Sequence, residues 1–446
     1  MLKKTCYIFS ALGLVLSVSC ATPPGPDIRA AGGLTNAVQF RAESLPTDAP
    51  PVGNALDLPA AIERAVRQSP TLQTALAEVR AAQADARQSR LLPNPVLSVV
   101  FRYPDGGGSP VTETGLTADL LTVLQTPRRI RAADNRLRAA SARAVAAALD
   151  VIADTEKSYH TGNALRQEMV LLEQGAGHID RLLQIARHRL DAGEGTRLDV
   201  ATLEARRAET RIDLQERRLK LTQEQLALAR LLGQPSSDTD WQQTTSLPVA
   251  APVRSEADWL AAALRKRPEI QADRWQLAAL EDRRALARLA FLEGSAAGLD
   301  AERDGDWSLG PSLAVPLPLF DWGQARRAKA HASAIAARHR LTQTVRQTVQ
   351  EVRQAHAAQA RLAAATTQAR EQLTPLQQQR VDLARAVYES GQSGITPLLL
   401  AELDLQKAQL RAVQLELRAA VAAIELRRAS GGTTAIFKTK TTTQKQ

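Results

Sequence analysis

The chain writes one helical hairpin twice. LDAGEGTRLD at Leu190–Asp199 leads into a helical stretch to Gly233, and YESGQSGITP at Tyr388–Pro397 leads into a similar stretch to Gly431. Ile212, Leu219 and Leu226 stand seven apart in the first copy, and Leu410, Leu417 and Ile424 match them 198 residues on. The same offset carries Pro70 onto Pro268, Gly193 onto Gly391, Glu204 onto Glu402, and Arg128-Arg129 onto Arg326-Arg327. A constant offset in an Ala-rich chain marks an internal duplication, and a duplication has to be recognised before any fold is assigned. The heptad spacing predicts coiled-coil seams.

Each repeat, 56–240 and 255–432, reads in the same order. Helices are expected at 56–68, with Asp57 as N-cap and Pro59 in the first turn, and at 71–91. The period then changes from helical to two. Leu97, Val99, Phe101 and Tyr103 alternate with Val96, Ser98, Val100 and Arg102, and a second strand is expected from Thr114 to Leu124. Beyond Pro127 the helical pattern runs to Arg189, about 62 residues or roughly 90 Å. Gly175 and Gly177 are its weak point. The chain reverses at 190–195 and returns as a helix over 196–232.

The second copy predicts helices at 255–266 and 269–292, strands at 294–300 and 308–320, and a long helix over 323–388. Pro375 falls where Gly177 falls in the first copy, so a bend is expected at one height in both. The helices 196–232 and 269–291 together match one long helix in length, and so would stack end to end beside it. The connectors would then gather at mid-height, with the strands at one end of a rod and both Gly turns at the other.

Composition supports long helices rather than a bulky core, because aromatics make up only 3% of the chain. The formal charge is +10, but the basic residues alternate with Glu and Asp, as in Glu204–Glu209. That pattern is a solvated, ion-paired helix face and gives no reason to expect nucleic acid. Both cysteines, Cys6 and Cys20, lie in the first twenty residues. Residues 1–20 form an export signal: Lys3-Lys4, a short apolar run, then Ser19-Cys20-Ala21. Cleavage before Cys20 would make its thiol a lipidation site for palmitate; cleavage after Ala21 would discard it. Ser17 stands where the lipoprotein pattern wants Leu, yet a lone Cys closing the signal favours lipidation. Residues 21–55 are a Pro-rich linker, and 433–446 a basic tail expected to be disordered.

Strands of 8–12 residues with alternating faces suit a tilted crossing of a bilayer. Four strands cannot close a barrel, and an open edge in lipid leaves backbone groups unpaired. If these strands enter a membrane, the chain must therefore oligomerise, and three copies would supply twelve strands, an even number within the known range.

The order of export signal with Cys20, Pro-rich linker, Ser69-Pro70, LPNP at 92–95, paired strands and a long helix ending in a Gly turn, all duplicated, resembles the TolC family of outer-membrane efflux ducts. GPSLAVPLPLF at 310–320, PLFDWG at 318–323 and the Tyr388–Gly391 turn carry the resemblance most specifically. LPNP leans towards the branch serving heavy-metal exporters. The resemblance implies a mainly α protein with a small membrane β-barrel portion: duplicated long-helix hairpins forming a trimeric α-barrel, with four β-strands per chain. It further implies a homotrimer in the outer membrane lipid, reaching into the periplasm of a Gram-negative bacterium. Partners would be a periplasmic adaptor and an inner-membrane pump, most naturally of the RND type. The duct would be a passive gated pore for small toxic compounds or metal ions. Gly193, Gly195, Arg197 and Asp199 of one tip, and Tyr388, Gly391 and Gly394 of the other, would carry adaptor docking and gating. The family often places carboxylates just past these turns; Asp199 fits, but Pro397 and Leu400 stand at the matching positions of the second copy. Glu194 and Glu389 are substitutes by proximity only.

Enzymatic readings find no residues to carry them. The sequence has no Gly-rich phosphate loop, no HExxH and no nucleophile elbow, and no cofactor or metal site is expected. Type I protein secretion uses the same architecture and stays open as an alternative. A soluble periplasmic coiled-coil adaptor or scaffold also stays open, although no lipoyl-like domain flanks the hairpins.

Overall fold

The computed structural model describes residues 38–432, apart from 51–52, 54, 104, 108–109, 240 and 245–253. The signal segment with Cys20, most of the linker and the tail lie outside the described residues. A two-residue strand β1 (Ala55–Leu56) precedes α1 (Leu58–Gln68) and α2 (Pro70–Gln88). Strands β2 (Val96–Arg102) and β3 (Val111–Asp119) lead into α3 (Leu120–Asp191), and α4 (Arg197–Leu231) returns from it. After β4 (Gln242–Gln243) come α5 (Glu256–Lys266), α6 (Pro268–Ala287), β5 (Ala296–Asp304) and β6 (Asp306–Ala314). The second long helix is α7 (Gln324–Gln368), a π-helical segment at Ala369–Leu373 and α8 (Thr374–Glu389), and α9 (Ile395–Ala429) closes the repeat.

The first long helix starts seven residues before Pro127. Asp119 caps it, accepting from the Thr122 N–H at 2.9 Å and the Thr122 hydroxyl at 2.7 Å. The Leu120 N–H bonds the Ser295 carbonyl, so the helix grows directly out of the sheet. Leu120–Leu124, expected as the end of a strand, is a short apolar run that periodicity alone cannot assign. Pro127 is inside the helix and withholds only the donor that would have reached Val123. Asp57 caps α1 as expected, accepting from the Ala60 N–H at 2.7 Å with Pro59 in the first turn.

Only one copy departs from α-helical geometry at the height of the expected bend. Immediately before Pro375 the second long helix relaxes into its π segment, and the Thr374 hydroxyl donates to the Ala369 carbonyl at 2.9 Å. The first long helix stays α-helical through Gly175 and Gly177. Gly175 has a different task. A Cβ there would overlap the side-chain amide of Gln406 on α9, which donates to the Leu171 carbonyl at 3.4 Å. Gly175 lets the two hairpins approach closely.

End-to-end stacking occurs, but within a repeat and not across repeats. Gly233, just past α4, sits against Gln68 at the α1–α2 junction, and Gly431, just past α9, sits against Lys266 and Arg267 at the α5–α6 junction. Helices of 35 and 19 residues (α4, α2) and of 35 and 20 (α9, α6) therefore form the two stacks. Both C-terminal glycines are in the left-handed region, where the helix end can turn sharply onto its neighbour.

The connectors do gather at mid-height. β1 pairs with β4 in parallel, and the Tyr159 hydroxyl, fully buried midway along α3, bridges the Leu56 carbonyl at 2.8 Å and the Thr244 carbonyl at 2.6 Å. The main apolar core, with Ile62, Val66, Leu72, Leu228, Leu232 and Trp241, surrounds this belt. Burial pushes the Tyr159 phenol up to about 12. Because the folded value lies above the ordinary ~10, this contribution to stability is complete below pH ~10 and is lost as pH rises towards 12. Tyr159→Phe is expected to cost about 1–3 kcal/mol in chemical unfolding and to remove that alkaline decline. A wild-type protein whose stability is flat from pH 9 to 12 contradicts this account.

Candidate functional site

The four long strands form one antiparallel sheet in the order β2-β3-β5-β6. Its register sorts the side chains by chemistry. One face carries the rows Leu97–Leu116–Leu299–Pro311, Val99–Thr114–Ala301–Leu309 and Phe101–Thr112–Arg303–Trp307. The other carries Ser98–Gly115–Asp300–Gly310, Val100–Glu113–Glu302–Ser308 and the Arg102–Glu113 ion pair at 2.5 Å. An apolar face backed by a polar one is the pattern of a membrane barrel wall with lipid outside and water inside. The last strand stops at Ala314, short of the expected Phe320. Pro316 and Pro318 cannot donate to a ladder, and the apolar residues beyond stay exposed, Leu317 at 79% and Phe320 at 91%. Pro311 remains in β6 because that strand is an edge. No described helix is long and apolar enough to cross a membrane.

At the opposite end the two tips have the same backbone and different caps. Gly193 and Gly391 take φ of 79° and 73°. The Glu194 N–H reaches back to the Arg189 carbonyl and the Gln392 N–H to the Val387 carbonyl, closing each long helix in the same way. Gly195 has ordinary φ, but a Cβ would press on the Leu190 backbone nitrogen at 2.9 Å. In the first tip the Thr196 hydroxyl accepts from the Asp199 N–H while the Asp199 carboxylate accepts from Thr196, a full capping box. Gly394, the matching residue of the second tip, offers no side-chain cap. The Asp199 carboxylate is thus turned onto its own helix start. Glu194 and Arg197 of the first tip, and Glu389, Pro397 and Leu400 of the second, are exposed.

Tyr388 is buried between the hairpins, with Leu182, Leu183, Leu203, Ile395, Leu398 and Leu399. The Arg189 guanidinium of the first tip lies 5.3 Å from its ring centroid, a cation–π contact that joins the two tips. Each hairpin is also clipped by a matching ion pair, Arg187–Glu204 at 2.5 Å and Arg385–Glu402 at 3.3 Å. Sequence reasoning matched Glu204 with Glu402 but missed this pair, although Arg187 and Arg385 share the same offset. Between α3 and the second hairpin runs a groove of about 580 Å³, reaching His178, Arg181, Arg385 and Tyr388.

The two heptad stripes are covered unequally within the chain. Ile212, Leu219 and Leu226 are 60%, 59% and 49% exposed on α4, whereas Ile424 is buried on α9. Leu376 and Leu383 form a second exposed stripe on α8. In both halves of the molecule the helices lie side by side: α3 packs on α4, α2, α6 and α9, and α9 packs on α7 and α8.

A wall of paired helices ending in an amphipathic sheet defines the class of duct-forming outer-membrane proteins. The comparisons with known proteins agree. The family described as outer membrane efflux protein matches residues 61–234 and again 259–432. The chain belongs to that family, whose members are the outer-membrane channels of tripartite efflux systems. Among solved structures the chain is similar to the outer membrane protein VceC of Vibrio cholerae, with 22% identity, a TM-score of 0.70, and coverage of 84% of this chain and 96% of that one. It is similar to the CmeC outer membrane channel of Campylobacter jejuni, with 17% identity, a TM-score of 0.70, and coverage of 84% and 85%. It is also similar to the open-state MtrE channel of Neisseria gonorrhoeae, with 22% identity, a TM-score of 0.68, and coverage of 88% and 95%. No curated protein matches the chain.

Proposed function

We propose that three copies of this chain close into one duct, with a twelve-stranded barrel in the outer membrane and the helices as a periplasmic tunnel. The observation that carries this reading is the pair of complementary unpartnered edges. β2 and β6 end the sheet with unpaired backbone, which in lipid costs several kcal/mol per group. The α4 stripe of Ile212, Leu219 and Leu226 and the α8 stripe of Leu376 and Leu383 stand at seven-residue spacing, ready for a coiled-coil seam with a neighbouring copy. The cargo is small toxic compounds or metal ions. Energy comes from an inner-membrane pump of the RND type, coupled through a periplasmic adaptor. Cys20 is acylated and anchors the N-terminus in the same membrane, a reading that metabolic labelling with palmitate tests.

The tips carry docking and gating, with Gly193, Gly195, Arg197 and Asp199 on one hairpin and Tyr388, Gly391 and Gly394 on the other. The supporting features are the left-handed turns, the Arg189–Tyr388 contact and the missing cap at Gly394. An adaptor that binds the opened arrangement more tightly shifts the population towards it. Extraction in mild detergent should give a heat-sensitive trimer from the outer-membrane fraction; a soluble monomer overturns the duct. Gly391→Val forces a β-branched residue into the left-handed region at a cost of about 1–2 kcal/mol. It is expected to leave the trimer intact while resistance to exported compounds falls. Unchanged resistance would remove Gly391 from the coupling surface.

A further inference from the structure

A groove of about 400 Å³ lies directly beneath the sheet, between the start of α3 and the end of α6. Leu124, Pro127 and Leu289 form its apolar side, and Arg128, Arg131 and Arg288 its cationic side. Among the described residues no carboxylate lines it. The nearest acidic partner is Asp282, 3.8 Å from Arg131. Arg128 and Arg288 make no ion pair among the described residues. The duplication sharpens the contrast, since Arg326, the repeat counterpart of Arg128, is held by Glu293 and Asp321.

The groove also lies at the right depth. α3 begins at Leu120, bonded to Ser295 just before β5, so Arg128 and Arg131 stand two to three helical turns from the strand ends, roughly 12–17 Å at 1.5 Å per residue. If the sheet spans the bilayer, those backbone positions lie just outside the headgroup layer, about 5–8 Å thick per side, and long side chains directed towards the helix N-terminus reach back to it. Helical spacing puts Leu120, Val123, Leu124, Pro127 and Arg131 on one face of α3 and Arg129 and Arg136 on the opposite one, with Gln125 lining the groove from its flank. Leu124 is 64% exposed, and Leu120, Val123 and Leu289 are exposed beside it. The groove therefore opens on the apolar side of the helix wall, the side that continues the lipid-facing rows of the sheet.

We propose that this groove binds an anionic glycerophospholipid of the adjoining leaflet. The phosphate sits among Arg128, Arg131 and Arg288, where guanidinium groups match phosphate oxygens in bidentate geometry. An acyl chain lies along Leu124 and Leu289. The proposal rests on the membrane reading of the sheet.

The test uses the full-length trimer purified in mild detergent. Its dissociation temperature is measured with added phosphatidylglycerol and, separately, with inorganic phosphate, for wild type, Arg128→Gln/Arg288→Gln and Arg128→Lys/Arg288→Lys. Expected is a rise with phosphatidylglycerol for wild type, none for the Gln pair and a partial rise for the Lys pair, with phosphatidylglycerol depleted from the Gln pair in lipid extracts. An equal rise in the Gln pair overturns the proposal. An equal rise with inorganic phosphate reassigns the groove to free phosphate and overturns the lipid. A Gln pair that keeps its lipid but changes the ion selectivity of the reconstituted channel places the groove inside the pore, which also overturns it. Failure of the wild type to fractionate with the outer membrane would instead sink the membrane reading, an outcome read independently of the lipid shift.

Discussion

Leu299→Arg is expected to abolish the assembled channel, while Ser308→Arg leaves it in place. Leu299 lies mid-strand in β5, in the row Leu97–Leu116–Leu299–Pro311, and is 54% exposed in a single chain. Ser308 lies in the opposite row, beside Glu302 and across the sheet from Glu113. Both substitutions add the same guanidinium to the same sheet, but to opposite faces, and Ser308 also lies nearer the β5–β6 turn. A lipid-facing Arg near the bilayer midplane costs about 2–4 kcal/mol, incurred three times if three copies close the barrel. On the polar face the new charge meets water and two carboxylates. Trimer recovered from the outer-membrane fraction should fall sharply for Leu299→Arg and hold for Ser308→Arg. Equal recovery of the two would mean that the faces are not divided between lipid and water, and would return the sheet to the soluble cap of a scaffold.

The duplication was legible because proline and glycine mark backbone requirements that survive divergence at fixed spacing. Gly193 and Gly391 keep their left-handed turns, and Gly233 and Gly431 their helix ends. Strand alternation was legible for β2, where one face is plainly apolar. Boundaries were less so. LLTVL at 120–124 fits a strand or a helix equally, and the Asp119 cap and the bond to Ser295 decide for helix. Gly175 looked like a weak point because sequence shows that a Cβ is absent, not what fills the space; Gln406 fills it, 231 positions away. The stacking partners were misassigned for a similar reason, since helix lengths permit several pairings and only the docking of Gly233 on Gln68 selects one. At the tips, the Arg189–Tyr388 contact crosses the two repeats, so an offset that equates the repeats cannot reveal it. The heptad spacing predicts seams, and a single chain leaves the α4 stripe uncovered, so spacing alone does not name what covers it.

The largest single-residue effect in the helical body is expected at Arg427. Its guanidinium, on the last turn of α9, pairs with the Glu156 carboxylate of α3 at 2.8 Å, and the two side chains are 11% and 5% exposed. Neighbouring Arg428 bridges Asp150 at 2.6 Å and Glu269 at 2.5 Å, so the pair sits in a belt of charge that rivets the second hairpin to the first long helix. Burial pushes the Glu156 carboxyl above its ordinary range, and Arg427 offsets only part of that. Removing one partner of such a pair leaves an uncompensated buried charge and typically costs about 3–5 kcal/mol. Arg427→Met should therefore lower unfolding stability by that order at neutral pH. With Arg427 gone, the folded pKa of Glu156 rises further. A raised carboxyl stabilises the fold fully below its unfolded pKa and loses that contribution as pH rises through the folded value. The deficit of Arg427→Met should accordingly shrink as pH falls towards ~4. Arg427→Met/Glu156→Met should recover most of the loss, because two packed apolar side chains replace a desolvated pair at little net cost. The coupling in that double-mutant cycle is the quantity that decides. A double variant as unstable as the sum of its singles would show that the two charges act independently, and that the rivet lies in Arg428 and its two carboxylates instead.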